Sequence, residues 1–309
     1  MTMRAIVVGL GVQGTKRRKF AGAECVASVD PVNPEAGFRA ARDVPLDRYD
    51  AALVCVPDEA KIELLSYFLR HGKHVLVEKP LWAERDDDIE KLQEIARDSG
   101  AICYTAYNHR FEPHFVRMRE LIASGALGRV YSCRMFYGNG TARLVRESAW
   151  RDRGAGVLPD LGSHLIDTCH FWFGEAALGA YRVISANCFE NRAPDHVVVG
   201  LQTATFRIEL EMTLLMWRNH FTCDILAENG TAHIESLCKW GPTTFTRRTR
   251  VLPSGRPPEA AVTLVGEDPT WALEYAHFKE LCRSGARPAL DHDLWLQTTL
   301  RRLGEQAAA

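Results

Sequence analysis

A chain of 309 residues is long enough for two domains with separate cores, and 46% hydrophobic with 25% charged residues is the balance of an ordinary globular protein. A formal net charge of -1 at pH 7 lacks the basic excess on which nucleic-acid or membrane-surface binding rests. No apolar run approaches the roughly 18 residues that span a bilayer, and the N-terminus enters a strand-like segment without the order of a signal peptide; the expected location is the cytoplasm.

Short apolar runs alternate with longer amphipathic ones through the first hundred or so residues. Residues 5–8 read as a buried strand, followed by glycines and a helix through Phe20. Apolar runs recur at 25–29, 51–56, 74–77 and 101–105. Helical patterns at 60–71 and 85–99 close on Gly72 and Gly100, where a C-terminal glycine belongs. This alternation predicts an α/β domain built on a doubly wound parallel sheet. Beyond residue 125 strand-like segments follow one another, at 130–137, 182–189, 196–203, 205–216 and 221–227. Glu228-Asn229-Gly230 marks a hairpin turn into 231–235. One helix-like stretch, 158–173, interrupts them, and 271–284 and 292–303 read as terminal helices packing back on the body. The second domain is expected to be α+β, with a large, mostly antiparallel open sheet. The expected domains are 1–122 and 123–309. The loop 251–260, with three prolines and a glycine, is the expected mobile segment.

Nine cysteines are scattered without a C-x-x-C pair, and most have apolar neighbours, as in Val54-Cys55-Val56. Reduced, core-filling thiols are expected rather than a zinc site.

Chemistry enters at Gly9-Leu10-Gly11-Val12-Gln13-Gly14, which lies between the first strand and the first helix. Gly9 permits the tight turn, Gly11 lets backbone approach a pyrophosphate, and Gly14 lets the helix pack on the strand. The helix start then offers free N–H groups and a partial positive charge to phosphates through Val12 and Gln13. Asp30 ends the second apolar run 21 residues after Gly9, where a ribose-binding carboxylate belongs. A carboxylate there favours NAD, while the run Lys16-Arg17-Arg18-Lys19 reads either as a solvated face or as phosphate support that keeps NADP open.

Further motifs narrow the reading. Glu78-Lys79-Pro80 follows an apolar run, Tyr107-Asn108-His109-Arg110-Phe111 follows the next, and Gly154-Ala155-Gly156 precedes Asp160-Leu161-Gly162-Ser163-His164-Leu165-Ile166-Asp167. With the glycine turn, these resemble the glucose–fructose oxidoreductase / inositol dehydrogenase / MocA (Gfo/Idh/MocA) family over nearly the whole chain. The resemblance implies a nicotinamide-binding Rossmann domain followed by a substrate and oligomerisation domain. It implies that Lys79 sits beside the nicotinamide and that Asp160 and His164 complete the catalytic set. It places Val56 and Pro57 along the cofactor's ribose, with Glu78 and Asn108 also at the cofactor. The family commonly has asparagine and a later histidine where this chain has Asp58 and Lys61. It also implies a homodimer or homotetramer formed through the C-terminal sheet.

The chemistry is consistent on its own terms. A histidine titrating near neutrality suits removal of a hydroxyl proton, an ammonium stabilises developing alkoxide charge, and a carboxylate orients the hydroxyl. If 160–167 is helical, Asp160, His164 and Asp167 lie on one face. Structural histidine and metal-ligand readings of the same segment stay open, as does a cis bond before Pro80. Arg143, Arg146, Arg151 and Arg153 flank Trp150, and with Arg151 and Trp150 at the substrate they suggest a phosphorylated or nucleotide-linked sugar. The expected activity is hydride transfer between NAD(P) and a secondary alcohol or ketone of a sugar or polyol. Glycoside cleavage by transient oxidation and a non-catalytic cofactor-binding regulator are the alternatives.

Overall fold

The structure is a computed structural model and describes residues 3–148, 151–286 and 289–308. The chain forms two compact units, Met1–Asn108 with Thr270–Gln297, and His109–Pro269 with Thr298–Ala309.

The first unit carries five parallel strands, β1 (Ala5–Val8), β2 (Cys25–Val29), β3 (Ala51–Val54), β4 (His74–Glu78) and β5 (Cys103–Ala106), in the order β2-β1-β3-β4-β5. All four residues of β1 and all four of β3 are buried, the mark of a sheet covered on both faces. Ile6, Val8, Ala52 and Val54 join one core with Leu65, Phe68 and Leu69 of α2 (Asp58–Arg70) and Ile89 and Leu92 of α3 (Asp86–Ser99). Ala5, Val7, Leu53 and Leu76 join the other core with Tyr275 and Phe278, from the distant helix Thr270–Ser284. Successive residues of each strand thus serve opposite cores. Fully burying a side chain such as Phe68 or Leu69 contributes about 1.5–3 kcal/mol. Asp86, Asp87 and Asp88 occupy the first turn of α3, where negative charge complements the helix dipole. α1 (Val12–Ala21) follows β1, whereas β2 and β3 are joined only through short 3-10 turns.

The second unit holds an eight-stranded sheet. Its strands are β6 (Val130–Gly138), β7 (Arg182–Asn187), β8 (His196–Gln202), β9 (Arg207–Thr213), β10 (His220–Ala227), β11 (Gly230–Glu235), β12 (Thr243–Thr249) and β13 (Glu259–Leu264). They run in the order β13-β12-β11-β10-β6-β9-β8-β7. Only the β6–β9 pair is parallel. Alternation is clear in β10, where Phe221, Cys223, Ile225 and Ala227 are buried between more exposed neighbours. Helices α4 (Pro113–Ala123), α5 (Ala142–Arg146) and α6 (Ser163–Phe173) complete the unit, and a π-helical turn, Leu158–Gly162, leads directly into α6. Thr270–Ser284 is α7, and Asp291–Ala308 is α8.

The α/β class, the parallel first sheet and the mostly antiparallel second sheet are as the sequence predicts. The observed units divide after Asn108 rather than after residue 122, because α4 packs with the second unit, and Thr270–Gln297 returns to the first. β12, β13 and α4 escape the sequence reading. β13 is exposed along its whole length and therefore carries no alternating apolar signal. All nine cysteines are free, and Cys103, Cys133, Cys169, Cys223 and Cys238 fill buried positions. Among the described residues, no helix is long and apolar enough to cross a membrane.

Candidate active site

Every cofactor position expected in the first unit falls at the carboxyl end of a strand in one parallel sheet. That edge is where open α/β sheets bind ligands. Gly9, after β1, has φ +88°, and a Cβ there would lie 2.4 Å from the Cys55 carbonyl oxygen. A Cβ on Gly14 would lie 1.7 Å from the Gly9 carbonyl oxygen, so α1 can cross the turn only as glycine. Gly11 differs: nothing stands within 4 Å of a Cβ built on it. Its bare backbone faces open space, and Val12 beside it is 76% exposed. α1 has no side-chain cap and no acidic residue in its first turn, which leaves its first amides to an anion. This cradle fits a dinucleotide pyrophosphate.

Asp30 is joined to that turn directly. Its Oδ2 accepts the Leu10 amide at 2.7 Å, and its Oδ1 accepts the amides of Val32 at 2.9 Å and Asn33 at 2.8 Å. Burial alone would raise its pKa, but these amides and Arg39 outweigh it and hold the carboxyl below its ordinary value. Asp30 is therefore ionised at neutral pH. After β3 come Val56 and Pro57, with Pro57 at the N-cap of α2. Glu78 ends β4 and Lys79 follows it, and the Lys79–Pro80 bond is cis. After β5, Asn108 Nδ2 donates to Thr270 Oγ1 at 3.1 Å.

The basic run of α1 is neither a solvated face nor a phosphate clamp as a block. Arg17 is buried: its Nε donates to Glu78 Oε1 at 2.6 Å, its Nη2 lies 2.7 Å from Glu274 Oε2, and its guanidinium stacks 4.3 Å from the Trp271 ring centroid. Two carboxylates outweigh the desolvation and hold the guanidinium above its ordinary pKa. Arg18 pairs with Glu35, and Lys16 lies over Trp271. On α2, Lys61 is 3% exposed; its Nζ donates to the Pro80 carbonyl at 2.7 Å and pairs with Asp58 at 2.7 Å.

In the second unit, His164 lies in the first turn of α6, 8% exposed, with its ring stacked on His109 at 3.9 Å and 17°. Lys239 stands behind His109. Its Nζ donates to Tyr137 Oη at 3.0 Å and approaches His109 Nε2 at 3.4 Å. An ammonium only donates, so His109 Nε2 is the acceptor in this contact. Burial alone would lower the Lys239 pKa, but Tyr137, Glu112 and Asp268 outweigh it and raise it. Asp160 sits in the π turn, 3.4 Å from Arg151.

Two expectations need correction here. Asp160, His164 and Asp167 do not share one free face, because Asp167 is 1% exposed and takes both Nε and Nη2 of Arg110. The arginines before α6 are also not a free cationic cluster: Arg143 pairs with Glu147, Arg146 with Glu190 and Arg151 with Asp160. Trp150 lies outside the described residues. Among the described residues no group of three or more His, Cys, Asp and Glu is arranged to hold a metal ion. The roles of Arg17, Lys61 and Lys239 carried no motif, whereas His109 stood inside a recognised motif without an assigned part.

Residues 3–107 match the oxidoreductase family model with an NAD-binding Rossmann fold, and residues 115–233 match the GFO/IDH/MocA C-terminal domain. The chain belongs to the Gfo/Idh/MocA family. Among curated relatives of this Gfo/Idh/MocA chain, inositol 2-dehydrogenase of Rhizobium meliloti is 29% identical over 163 residues, covering 50% of this chain and 47% of the relative. The scyllo-inositol 2-dehydrogenase (NADP(+)) of Bacillus subtilis is 26% identical over 180 residues, covering 57% of this chain and 45% of the relative. The chain thus spans about half the length of these relatives. Levoglucosan dehydrogenase in complex with NADH shares the fold at a TM-score of 0.82 and 18% identity, covering 100% of this chain and 97% of the other. An oxidoreductase from Agrobacterium radiobacter in complex with NAD+, L-tartaric acid and magnesium does so at 0.79 and 14%, covering 100% and 97%. The Gfo/Idh/MocA match makes the cradle at Gly9–Gly14 part of an NAD-binding Rossmann domain.

Proposed function

We propose that this chain is an NAD-dependent dehydrogenase acting on a secondary alcohol of a polyol or sugar, or on the corresponding ketone. The observation that carries the reading is the shared strand edge, where the complete dinucleotide turn, the ionised Asp30 and Lys79 all follow strands of one sheet. NAD, when bound, accepts the hydride. Gly11 and the first turn of α1 hold the pyrophosphate, and the Asp30 carboxylate accepts from the ribose hydroxyls and disfavours a 2′-phosphate. Lys79 donates to the reacting oxygen and stabilises its developing negative charge. His164 takes the hydroxyl proton during oxidation and returns it during reduction, and Asp160 orients a substrate hydroxyl.

An uncharged polyol is the favoured substrate class. Three of the arginines that would grip a phosphate are already paired with carboxylates, which weakens the phosphorylated and nucleotide-linked sugars suggested by the sequence. Relatives named for inositol and levoglucosan agree with that preference. The test is a turnover panel of myo-inositol, levoglucosan and a nucleotide-linked sugar with NAD and with NADP. NAD turnover of an uncharged polyol is expected, and Lys79→Ala should lower kcat/KM by about 10²–10⁴. Unaltered turnover in Lys79→Ala would remove the lysine from the reaction, and activity confined to the nucleotide-linked sugar would overturn the substrate class. The same reading takes the active form as a homodimer or homotetramer assembled through the eight-stranded sheet, which light scattering would check.

A further inference from the structure

The chain has 38 Lys and Arg residues. Among the described residues Arg17 at 2% and Lys61 at 3% are the two least exposed of these side chains. Burying a cation is costly unless it is well paired, so two such cations call for a structural reason. Both are directed at the same three-residue segment. Arg17 Nε donates to the Glu78 carboxylate at 2.6 Å, and Lys61 Nζ donates to the Pro80 carbonyl at 2.7 Å. Lys79 is the residue between them.

The two cations come from different helices. Arg17 belongs to α1, which follows β1, and Lys61 belongs to α2, which follows β3. β3 lies between β1 and β4 in the sheet, so the segment after β4 is tied to both helices that precede it. Each cation is also held by a carboxylate outside that segment, Glu274 for Arg17 and Asp58 for Lys61. The Trp271 ring further fixes the plane of the Arg17 guanidinium. The geometry points to Arg17 and Lys61 as positioning residues that clamp Glu78 and Pro80, so that the Lys79 ammonium starts from a fixed backbone. The inference rests on the proposed role of Lys79 only in naming what that fixed ammonium serves. It also explains why Asp58 and Lys61 stand together: they form one anchored pair, with Lys61 taking a backbone acceptor that a shorter side chain would reach differently.

Because α1 also presents its first turn to the pyrophosphate, Arg17 links Lys79 to the helix that holds the cofactor. The distance between bound dinucleotide and ammonium is then set by one helix rather than by a loop. Small errors in such placement are expensive, since a displacement on the order of 1 Å costs about 100-fold in rate.

The test compares Lys61→Met, Lys61→Arg and Arg17→Met in the full chain, by thermal midpoint, by NADH binding through fluorescence, by turnover of myo-inositol and levoglucosan, and by mass-spectrometric rates of reductive methylation at Lys79. In Lys61→Met, kcat is expected to fall about 10- to 100-fold while NADH affinity is retained, and Lys61→Arg should recover part of it. Lys79 in the cofactor-free chain should be methylated severalfold faster once the clamp is lost. A folded Lys61→Met with wild-type kcat and wild-type methylation at Lys79 would overturn the inference. If no polyol is turned over, the proposed function fails, but the methylation rates still decide the clamp. If Arg17→Met does not fold, Glu78→Gln removes the same ion pair while leaving the arginine in place, and unchanged methylation there counts against the clamp.

Discussion

Single glycines separate what the fold requires from what the cofactor requires. A methyl on Gly14 would collide with the Gly9 carbonyl at 1.7 Å, whereas a methyl on Gly11 meets nothing within 4 Å. Gly14→Ala should therefore lower the thermal midpoint and abolish NADH binding together, because α1 must move. Gly11→Ala should leave the midpoint unchanged while weakening NADH binding at least tenfold, about 1.4 kcal/mol, as the methyl occupies the approach of the pyrophosphate. Calorimetric melting beside fluorescence titration separates the two, and a Gly11→Ala chain that binds NADH normally would argue against the cradle. At this scale the glycines, Asp30 and Lys79 were legible because each belongs to a motif with a mechanical reason. Arg17 was not, since a run of four cations does not reveal which one turns inward.

At the scale of elements, α6 depends on the bond between Arg110 and Asp167. Asp167 is 1% exposed and Arg110 27%, so removing the carboxylate strands a partly buried guanidinium. Asp167→Asn should destabilise the chain by about 3 kcal/mol, the lower end of the range for a broken buried pair, because Arg110 can partly rehydrate. Denaturant midpoints would measure it, and a loss below about 1 kcal/mol would place the pair with ordinary surface bridges. The approach to α6 is equally constrained: Gly156 has φ +55°, and a Cβ there would lie 2.0 Å from the Pro194 carbonyl oxygen. The helix over 158–173 was readable from its periodicity, but its opening π turn was not, and neither was the pairing that withdraws Asp167. That pairing depends on a residue more than fifty positions away. The edge strand β13 was missed for the opposite reason, since a strand exposed along its whole length leaves no pattern.

Across the whole molecule, two histidines, His114 buried and His74 half-buried, make stability fall toward acid pH. His114 is 1% exposed and donates Nε2–H to the Thr243 carbonyl at 3.1 Å, while His74 Nδ1 accepts the Ile102 amide at 3.0 Å. Burial holds both imidazoles below 6.5, the value of the free side chain. The unfolded chain then takes up protons before the folded one does. Their contribution is complete above about pH 6.5 and is lost progressively as the pH falls below it. Melting midpoints should decline from pH 7 to pH 5, and a His74→Asn/His114→Gln double variant should decline less steeply. A midpoint that stays flat over that range in the parent chain would refute this assignment.

The return of Thr270–Gln297 to the first unit bears on how the chain matures during synthesis. Tyr275 and Phe278 fill one of the two cores of the N-terminal sheet, and Glu274 meets Arg17 there. On the ribosome, the sheet is complete in sequence long before α7 emerges, with one face still lacking its cover. The nucleotide-binding unit, although its sheet is made early, cannot close until α7 has been made, and a nascent chain halted after β13 should remain open to proteases and to chaperones on that face.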